Sequence, residues 1–127
     1  FVSDSVLLQK IKLNINLDMI AQNDSSEIYA AGTYHYPKTK AILEGIETGN
    51  VNLLFGHDSP DLGSNDWTSS SDHGPFHSKG VPFVYFGVED HEHYHKHTDD
   101  FETIPQENYK ANVEMILNAI LAFDNKW

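Results

Sequence analysis

The order of apolar and polar side chains predicts short strands that alternate with helices. In residues 11–19, Leu13, Ile15 and Leu17 alternate with polar residues, which is the two-residue period of a strand. Residues 27–31 and 51–55 predict two further short strands. Residues 81–86 read VPFVYF, an almost wholly apolar run that is typical of a buried strand.

Helical patterns separate these strands. Residues 4–10 predict a short helix, and residues 37–47 predict a helix that begins at Pro37, a residue suited to the first helical position. Residues 75–79 predict one or two helical turns. Residues 105–123 predict the last helix, whose apolar stripe is Val113, Ile116, Leu117, Ile120 and Leu121. This alternation predicts an α/β fold: a three-layer αβα sandwich around a mixed, largely parallel sheet.

Two polar loops hold the candidate chemistry. Residues 56–74 form a long stretch rich in Gly, Ser, Asp and Asn, and a loop of this length is usually functional or disordered. In the second loop, residues 91–97 read HEHYHKH, with a histidine at every second position. An extended backbone would place these four rings on one face, where they could chelate a transition metal. A solvated acidic loop with incidental histidines explains the same residues equally well.

Asp18 ends the first predicted strand. In an open α/β sheet, sites form beyond the carboxyl ends of the strands, and carboxylate with imidazole is a common ligand set for zinc. An Asp at the end of a strand is, however, more often a turn or cap residue. The neighbours Ser71, Asp72 and His73 do not form a hydrolase triad, because triad members converge from separate elements.

Composition narrows the choice of function. The 127 residues include 8 basic and 19 acidic side chains, a net charge of −11, which argues against nucleic acids and anionic membranes as partners. Because there is no cysteine, a disulfide scaffold, a cysteine-ligated zinc finger and a thiol nucleophile are excluded. No apolar run approaches the ~20 residues that span a bilayer. The length predicts a single domain, residues 1–127.

Three blocks of the sequence resemble the co-catalytic di-zinc aminopeptidases, the family of bacterial leucyl aminopeptidase and aminopeptidase Y. Residues 14–20, NINLDMI, resemble the family's N-x-N-L-D-M-I-G strand. Residues 71–82, SDHGPFHSKGVP, resemble S-D-H-x-x-F-x-x-x-G-I-P, and residues 94–100, YHKHTDD, resemble Y-H-K-P-T-D-D. The relatives of this family include glutamate carboxypeptidase II, the transferrin receptor and glutaminyl cyclase. The resemblance runs from about residue 5 to the end of the chain.

The resemblance implies a role for each matching residue. Asp18 resembles the carboxylate ligand of one zinc ion, and His95 resembles the histidine ligand of the other. Asp72 resembles an acid that hydrogen-bonds near the ligand carboxylate. His73 and Tyr94 resemble residues that support the ligands or line the substrate pocket. His91, His93 and His97 do not match ligand positions.

The resemblance also implies what this chain lacks. The family's remaining zinc ligands and its general-base Glu precede the N-L-D-M strand, and the chain contains no Glu-Glu dipeptide. We therefore expect the C-terminal part of a zinc-exopeptidase domain, from a parent protein that hydrolyses N-terminal peptide bonds. This piece alone is expected to contain no catalytic residue, to bind zinc weakly and to be inactive.

Other expectations remain open at this stage. A glutaminyl-cyclase-like acyltransferase, a non-catalytic binding domain on the peptidase fold and a metal-sequestering histidine loop are the alternatives. The expected partner is a peptide with a free N-terminus, and an uncovered sheet edge or face predicts a homodimer. Family resemblance favours a secreted or periplasmic location.

Overall fold

The fold is a mixed sheet covered on both faces, seen in a computed structural model that describes residue 3, residues 5–22 and residues 25–127. The strands are β1 Asn14–Leu17, β2 Glu27–Ala31, β3 Asn52–Phe55 and β4 Phe83–Gly87. The helices are α1 Ser5–Leu8, α2 Pro37–Leu43, α3 Gly74–His77 and α4 Gln106–Lys126, with short 3₁₀ helices at Pro60–Asn65 and Phe101–Thr103. Residue 4, where the first predicted helix begins, lies outside the described residues.

The strand order is β1-β4-β2-β3. β1 runs parallel to β4 and β2 runs parallel to β3, whereas β2 and β4 are antiparallel. The predicted mixed α/β sheet is therefore confirmed. Because β1 and β4 are parallel neighbours, the residues that follow them emerge at the same end of the sheet, which brings Asp18 close to the histidine-rich loop.

Several elements are shorter than their patterns predicted. β1 covers residues 14–17 of the predicted 11–19, because it pairs with β4 only from Asn14 opposite Phe83 to Leu17 opposite Phe86. A strand extends no further than its hydrogen-bonded partner. α2 ends at Leu43 rather than at residue 47, and the next backbone bonds, such as Gly45 N–H to Ile42 O, have the tighter spacing of a closing turn.

The main core lies between one face of the sheet and the helices α2 and α4. The buried residues of this core include Ile28, Ala30, Leu43, Val84, Phe86, Met115, Ile116 and Ala119. The side of α4 that enters the core differs from the predicted stripe. Of that stripe only Ile116 is buried, whereas Val113, Leu117, Ile120 and Leu121 are exposed.

The true inner side of α4 consists of Asn112, Met115, Ile116, Ala119 and Phe123. Asn112 Nδ2 donates to Ile20 O at 2.9 Å, and this bond accompanies the burial of its polar side chain. The small Ala119 lets the helix approach the sheet closely. A pattern of large apolar residues misses both positions, because one is polar and the other is small.

The second face of the sheet is covered by residues 56–80. On this side Ala31, Phe83 and Tyr85 form a smaller buried cluster with Tyr36 and Trp67 packed against it. The long polar loop predicted here is thus a packed layer that includes α3 and the first 3₁₀ helix. Its packing fixes the positions of the residues that approach Asp18.

A substitution at Gly32 would show how closely the chain packs on the second face of the sheet. It has a φ of +105°, and a Cβ at this position would collide with the backbone oxygen of Phe83. We expect Gly32→Ala to lower the free energy of unfolding by about 2–5 kcal/mol, measured by urea denaturation. Gly49 is the matched control, since its φ is +60° but nothing lies within 4 Å of its would-be Cβ. Gly49→Ala should therefore cost only the conformational penalty, about 1–2 kcal/mol. Equal losses in the two variants would contradict the close packing at Gly32.

Candidate functional site

Asp18 and His95 line one cavity at the end of the sheet. The cavity has a volume of about 450 Å³, and its walls include Met19, His91, Tyr94 and Asp99. Asp18 directly follows β1, and His95 lies in the loop after β4. The structure thus brings together the two residues predicted as metal ligands.

The backbone of Asp18 is held by β4 on both sides of the residue. Its N–H donates to Phe86 O at 3.2 Å, and the Tyr85 hydroxyl donates to Asp18 O at 3.2 Å. The next residue, Met19, has a φ of 59°, an uncommon conformation for a residue other than glycine. The chain therefore turns sharply after β1, and the Asp18 side chain stays at the mouth of the cavity.

Ser71 fixes one oxygen of the Asp18 carboxylate. The Ser71 hydroxyl donates to Asp18 Oδ2 at 2.6 Å, and Asn16 Nδ2 donates to Ser71 Oγ at 3.0 Å. The sequence assigned such a hydrogen bond to Asp72, but the Asp72 side chain is exposed and its neighbour makes the contact. Sequence reasoning missed Asn16 and Ser71 in this role, although both lie within the quoted motifs.

His73 lies behind this pair and is completely buried. Its Nε2 is 2.8 Å from Trp67 O, and its Nδ1 is 3.2 Å from Asn16 Nδ2. The ring stacks on Phe83 with 4.5 Å between the ring centroids. Burial lowers the pKa of His73 and so favours the neutral ring. His73 contacts the residue that supports Ser71 and not Asp18 itself.

His95 has an uncommon backbone conformation at the opposite wall of the cavity. Its φ is 56°, and its ring stacks on Tyr94 with a centroid distance of 3.8 Å. Within the described part of the chain, its ring nitrogens make no hydrogen bond, so they are available to a ligand. A left-handed histidine at a cavity wall is the kind of backbone strain that often accompanies function.

The four histidines of this loop do not lie together on one face, although His91 lines the same cavity as His95. Residues 91–97 form successive turns, in which Tyr94 N–H donates to His91 O and Lys96 N–H to His93 O. The extended backbone that a four-ring chelate requires is therefore not present. His93 is engaged by Thr98 at 3.0 Å and by Glu92 at 3.2 Å, and His91 Nδ1 is buried with no partner among the described residues.

A smaller cavity of about 230 Å³ lies next to Asp18. Aromatic residues Trp67, Tyr85 and Tyr94 line it together with Asp90. Burial raises the pKa of the Tyr85 hydroxyl, and the nearby carboxylates of Asp18 and Asp90 raise it further. Tyr85 therefore keeps its proton and remains a hydrogen-bond donor beside Asp18, in a pocket with a negative potential.

The large cavity contains side chains of the types that commonly bind zinc. Asp18 offers a carboxylate oxygen and His95 an imidazole nitrogen, which are both common zinc donors. Among the described residues, no group of three or more His, Cys, Asp or Glu side chains converges in a geometry that could hold a metal. A zinc ion bound by either residue would need further ligands, since zinc sites in proteins normally use three or four.

Comparison with known proteins gives two matches. The profile described as Peptidase family M28 matches residues 1–120. A solved structure, a zinc aminopeptidase from Bacillus subtilis, is similar with a TM-score of 0.66 and 24% sequence identity. That similarity covers 94% of this chain and 30% of the other chain, so it shows the fold, of which this chain spans less than a third.

The search of curated proteins finds no match. No helix in the described ranges is long and apolar enough to cross a bilayer.

Proposed function

Because the chain belongs to peptidase family M28, we propose that it forms part of the catalytic domain of a zinc-dependent aminopeptidase. In this proposal Asp18 supplies one ligand to the first of two zinc ions and His95 one ligand to the second. The observation that carries the proposal is the shared cavity, which has a carboxylate and an unbonded imidazole at its walls. The substrate is a peptide with a free N-terminus.

The residues of this chain prepare the cavity for that role. When bound, zinc ions acidify a water molecule and polarise the scissile carbonyl. Ser71 holds Asp18 Oδ2 and leaves Oδ1 free to bind, while Tyr94 supports the His95 ring from one side. The negative potential of the cavity next to Asp18 favours the α-ammonium group of a substrate.

The rest of the active site must come from elsewhere. The general base and the other zinc ligands are proposed to lie outside this chain, which spans 30% of the solved aminopeptidase. We expect the chain alone to bind zinc weakly and to hydrolyse no aminoacyl anilide. Tight, stoichiometric zinc binding that is lost in both Asp18→Ala and His95→Ala would show instead that this chain completes a site by itself.

The assembled protein provides the decisive experiment. A polypeptide that joins this chain to the rest of its domain is expected to cleave a leucyl anilide and to lose activity with a chelator. It should not cyclise a peptide with N-terminal Gln. Cyclisation without anilide cleavage would support the glutaminyl-cyclase alternative, and the absence of both would support a binding domain.

We also propose that the isolated chain forms a homodimer. Within the described sheet β1 and β3 are the outer strands, and α4 exposes Val113, Leu117 and Leu121 to solvent. Unpaired strand edges and exposed apolar side chains both promote self-association. Light scattering at high concentration should give twice the monomer mass. Leu117→Lys should shift the chain toward the monomer, and a monomer in the unmodified chain would contradict the proposal.

A further inference from the structure

The hydrogen-bond chain behind Asp18 ends at a histidine for which the proposed function has no role. We propose that His73 is a positioning residue, which fixes the orientation of the Asp18 carboxylate through Asn16 and Ser71. The inference deepens the proposed function and rests on it, because the orientation of Asp18 matters to catalysis only where Asp18 binds zinc. The hydrogen-bond chain itself is a property of this polypeptide and is tested without metal.

The direction of each hydrogen bond follows from which atoms can donate. Trp67 O can only accept, so the proton of the His73 ring is on Nε2, 2.8 Å away. Neutral His73 then has a lone pair on Nδ1, which accepts from Asn16 Nδ2 at 3.2 Å. His73 thereby determines that the nitrogen of the Asn16 amide, and not its oxygen, faces Ser71.

The orientation of the Asn16 amide determines where the Ser71 hydroxyl proton points. The amide nitrogen of Asn16 donates to Ser71 Oγ at 3.0 Å, so the Ser71 proton must point elsewhere. The remaining acceptor is Asp18 Oδ2, 2.6 Å from Ser71 Oγ. With the Asn16 amide reversed, Ser71 would donate to Asn16 Oδ1 instead, and Asp18 would lose this bond.

Burial makes His73 a rigid anchor for the chain of bonds. The residue has no exposed surface, and its ring lies 4.5 Å from the Phe83 ring and 5.0 Å from the Tyr85 ring. Asp18 is exposed, and Ser71 supplies the side-chain contact that holds its carboxylate. A carboxylate in this position depends on residues behind it, since the partners of ligands orient them and tune their basicity.

Two substitutions separate the hydrogen bond from the packing of the ring. In His73→Asn, the amide oxygen lies near the former Nδ1 and can still accept from Asn16. In His73→Gln, the amide lies near the former Nε2, so the donor to Trp67 O is kept but the acceptor for Asn16 is lost. Both variants lose the ring and its stacking on Phe83. His73→Asn keeps the bond to Asn16 and loses the bond to Trp67 O, whereas His73→Gln does the reverse. A change in Asp18 that is confined to His73→Gln therefore reports the bond to Asn16.

The readout is nuclear magnetic resonance on this chain without metal. In the unmodified chain, ¹⁵N shifts of the His73 ring should show a proton on Nε2 and none on Nδ1. Three-bond couplings to the Asp18 carboxyl carbon should indicate one χ1 rotamer, and the Asn16 side-chain protons should exchange slowly. We expect His73→Asn to retain the single rotamer and the slow exchange, and His73→Gln to lose both.

The outcomes decide between positioning and packing. A proton on Nδ1 in the unmodified chain overturns the proposal, and this measurement needs no variant to fold. An Asp18 rotamer that survives in folded His73→Gln, or one that is lost equally in both variants, also overturns it. A failure of the proposed peptidase activity would leave these couplings unchanged, so the two hypotheses fail separately.

Discussion

Replacing His95 by alanine is expected to lower kcat/KM about 1,000-fold in the assembled peptidase, whereas replacing His97 should leave it within about twofold. A metal ion supplies several kcal/mol of transition-state stabilisation, and 4 kcal/mol corresponds to about 1,000-fold in rate. His95 lines the cavity that contains Asp18, and its ring nitrogens are free of hydrogen bonds in the described chain. The measurement is steady-state hydrolysis of a leucyl anilide, together with zinc content by elemental analysis.

His97 is a close control because it lies two residues away in the same loop, is exposed and carries the same ring. If both variants lose activity equally, the loop as a whole supports the site and His95 has no special role. If His95→Ala keeps both its zinc and its rate, the assignment of His95 as a ligand is wrong. His91→Ala would then be the next variant to measure, since His91 lines the same cavity.

The sequence predicted the sheet because its strands are marked by local patterns. The run of residues 83–86 is wholly buried in β4, and the predicted bounds of β2, residues 27–31, are those observed. The site was predictable only in part. Asp18 and His95 were found by resemblance to a family, since neither spacing nor composition distinguishes His95 from the other loop histidines.

The residues that hold Asp18 in place could not be predicted from the pattern of apolar and polar residues. Whether Ser71 or Asp72 reaches Asp18 depends on how residues 56–80 pack over the second face of the sheet, a long-range property. The inner side of α4 was missed for a related reason. Asn112 Nδ2 donates to Ile20 O inside the core. The pattern of apolar residues along α4 does not indicate that such an acceptor lies opposite this position.

Sequence analysis did not single out Asp58, yet removing this side chain is expected to destabilise the protein strongly. The residue is 3% exposed and follows β3. Its Oδ2 accepts from Gly32 N–H at 2.7 Å and from Tyr34 N–H at 2.8 Å. The Thr33 hydroxyl donates to the same oxygen at 3.3 Å. Asp58 thus joins the turn after β2 to the segment that covers the second face of the sheet.

Asp58→Ala should lower the free energy of unfolding by about 3–5 kcal/mol, because two backbone N–H groups lose their acceptor and each buried orphan costs about 1–3 kcal/mol. Asp58→Asn keeps one acceptor oxygen and should cost about half as much. Asp61→Ala is the control, since Asp61 is exposed in the 3₁₀ helix and should change stability by less than about 0.5 kcal/mol. Urea denaturation at neutral pH gives all three values, and an unchanged m-value would show that the unfolded state is the same. A loss below about 1 kcal/mol in Asp58→Ala would mean that water replaces the carboxylate at these N–H groups, and that the turn after β2 is held by its packing against Phe83.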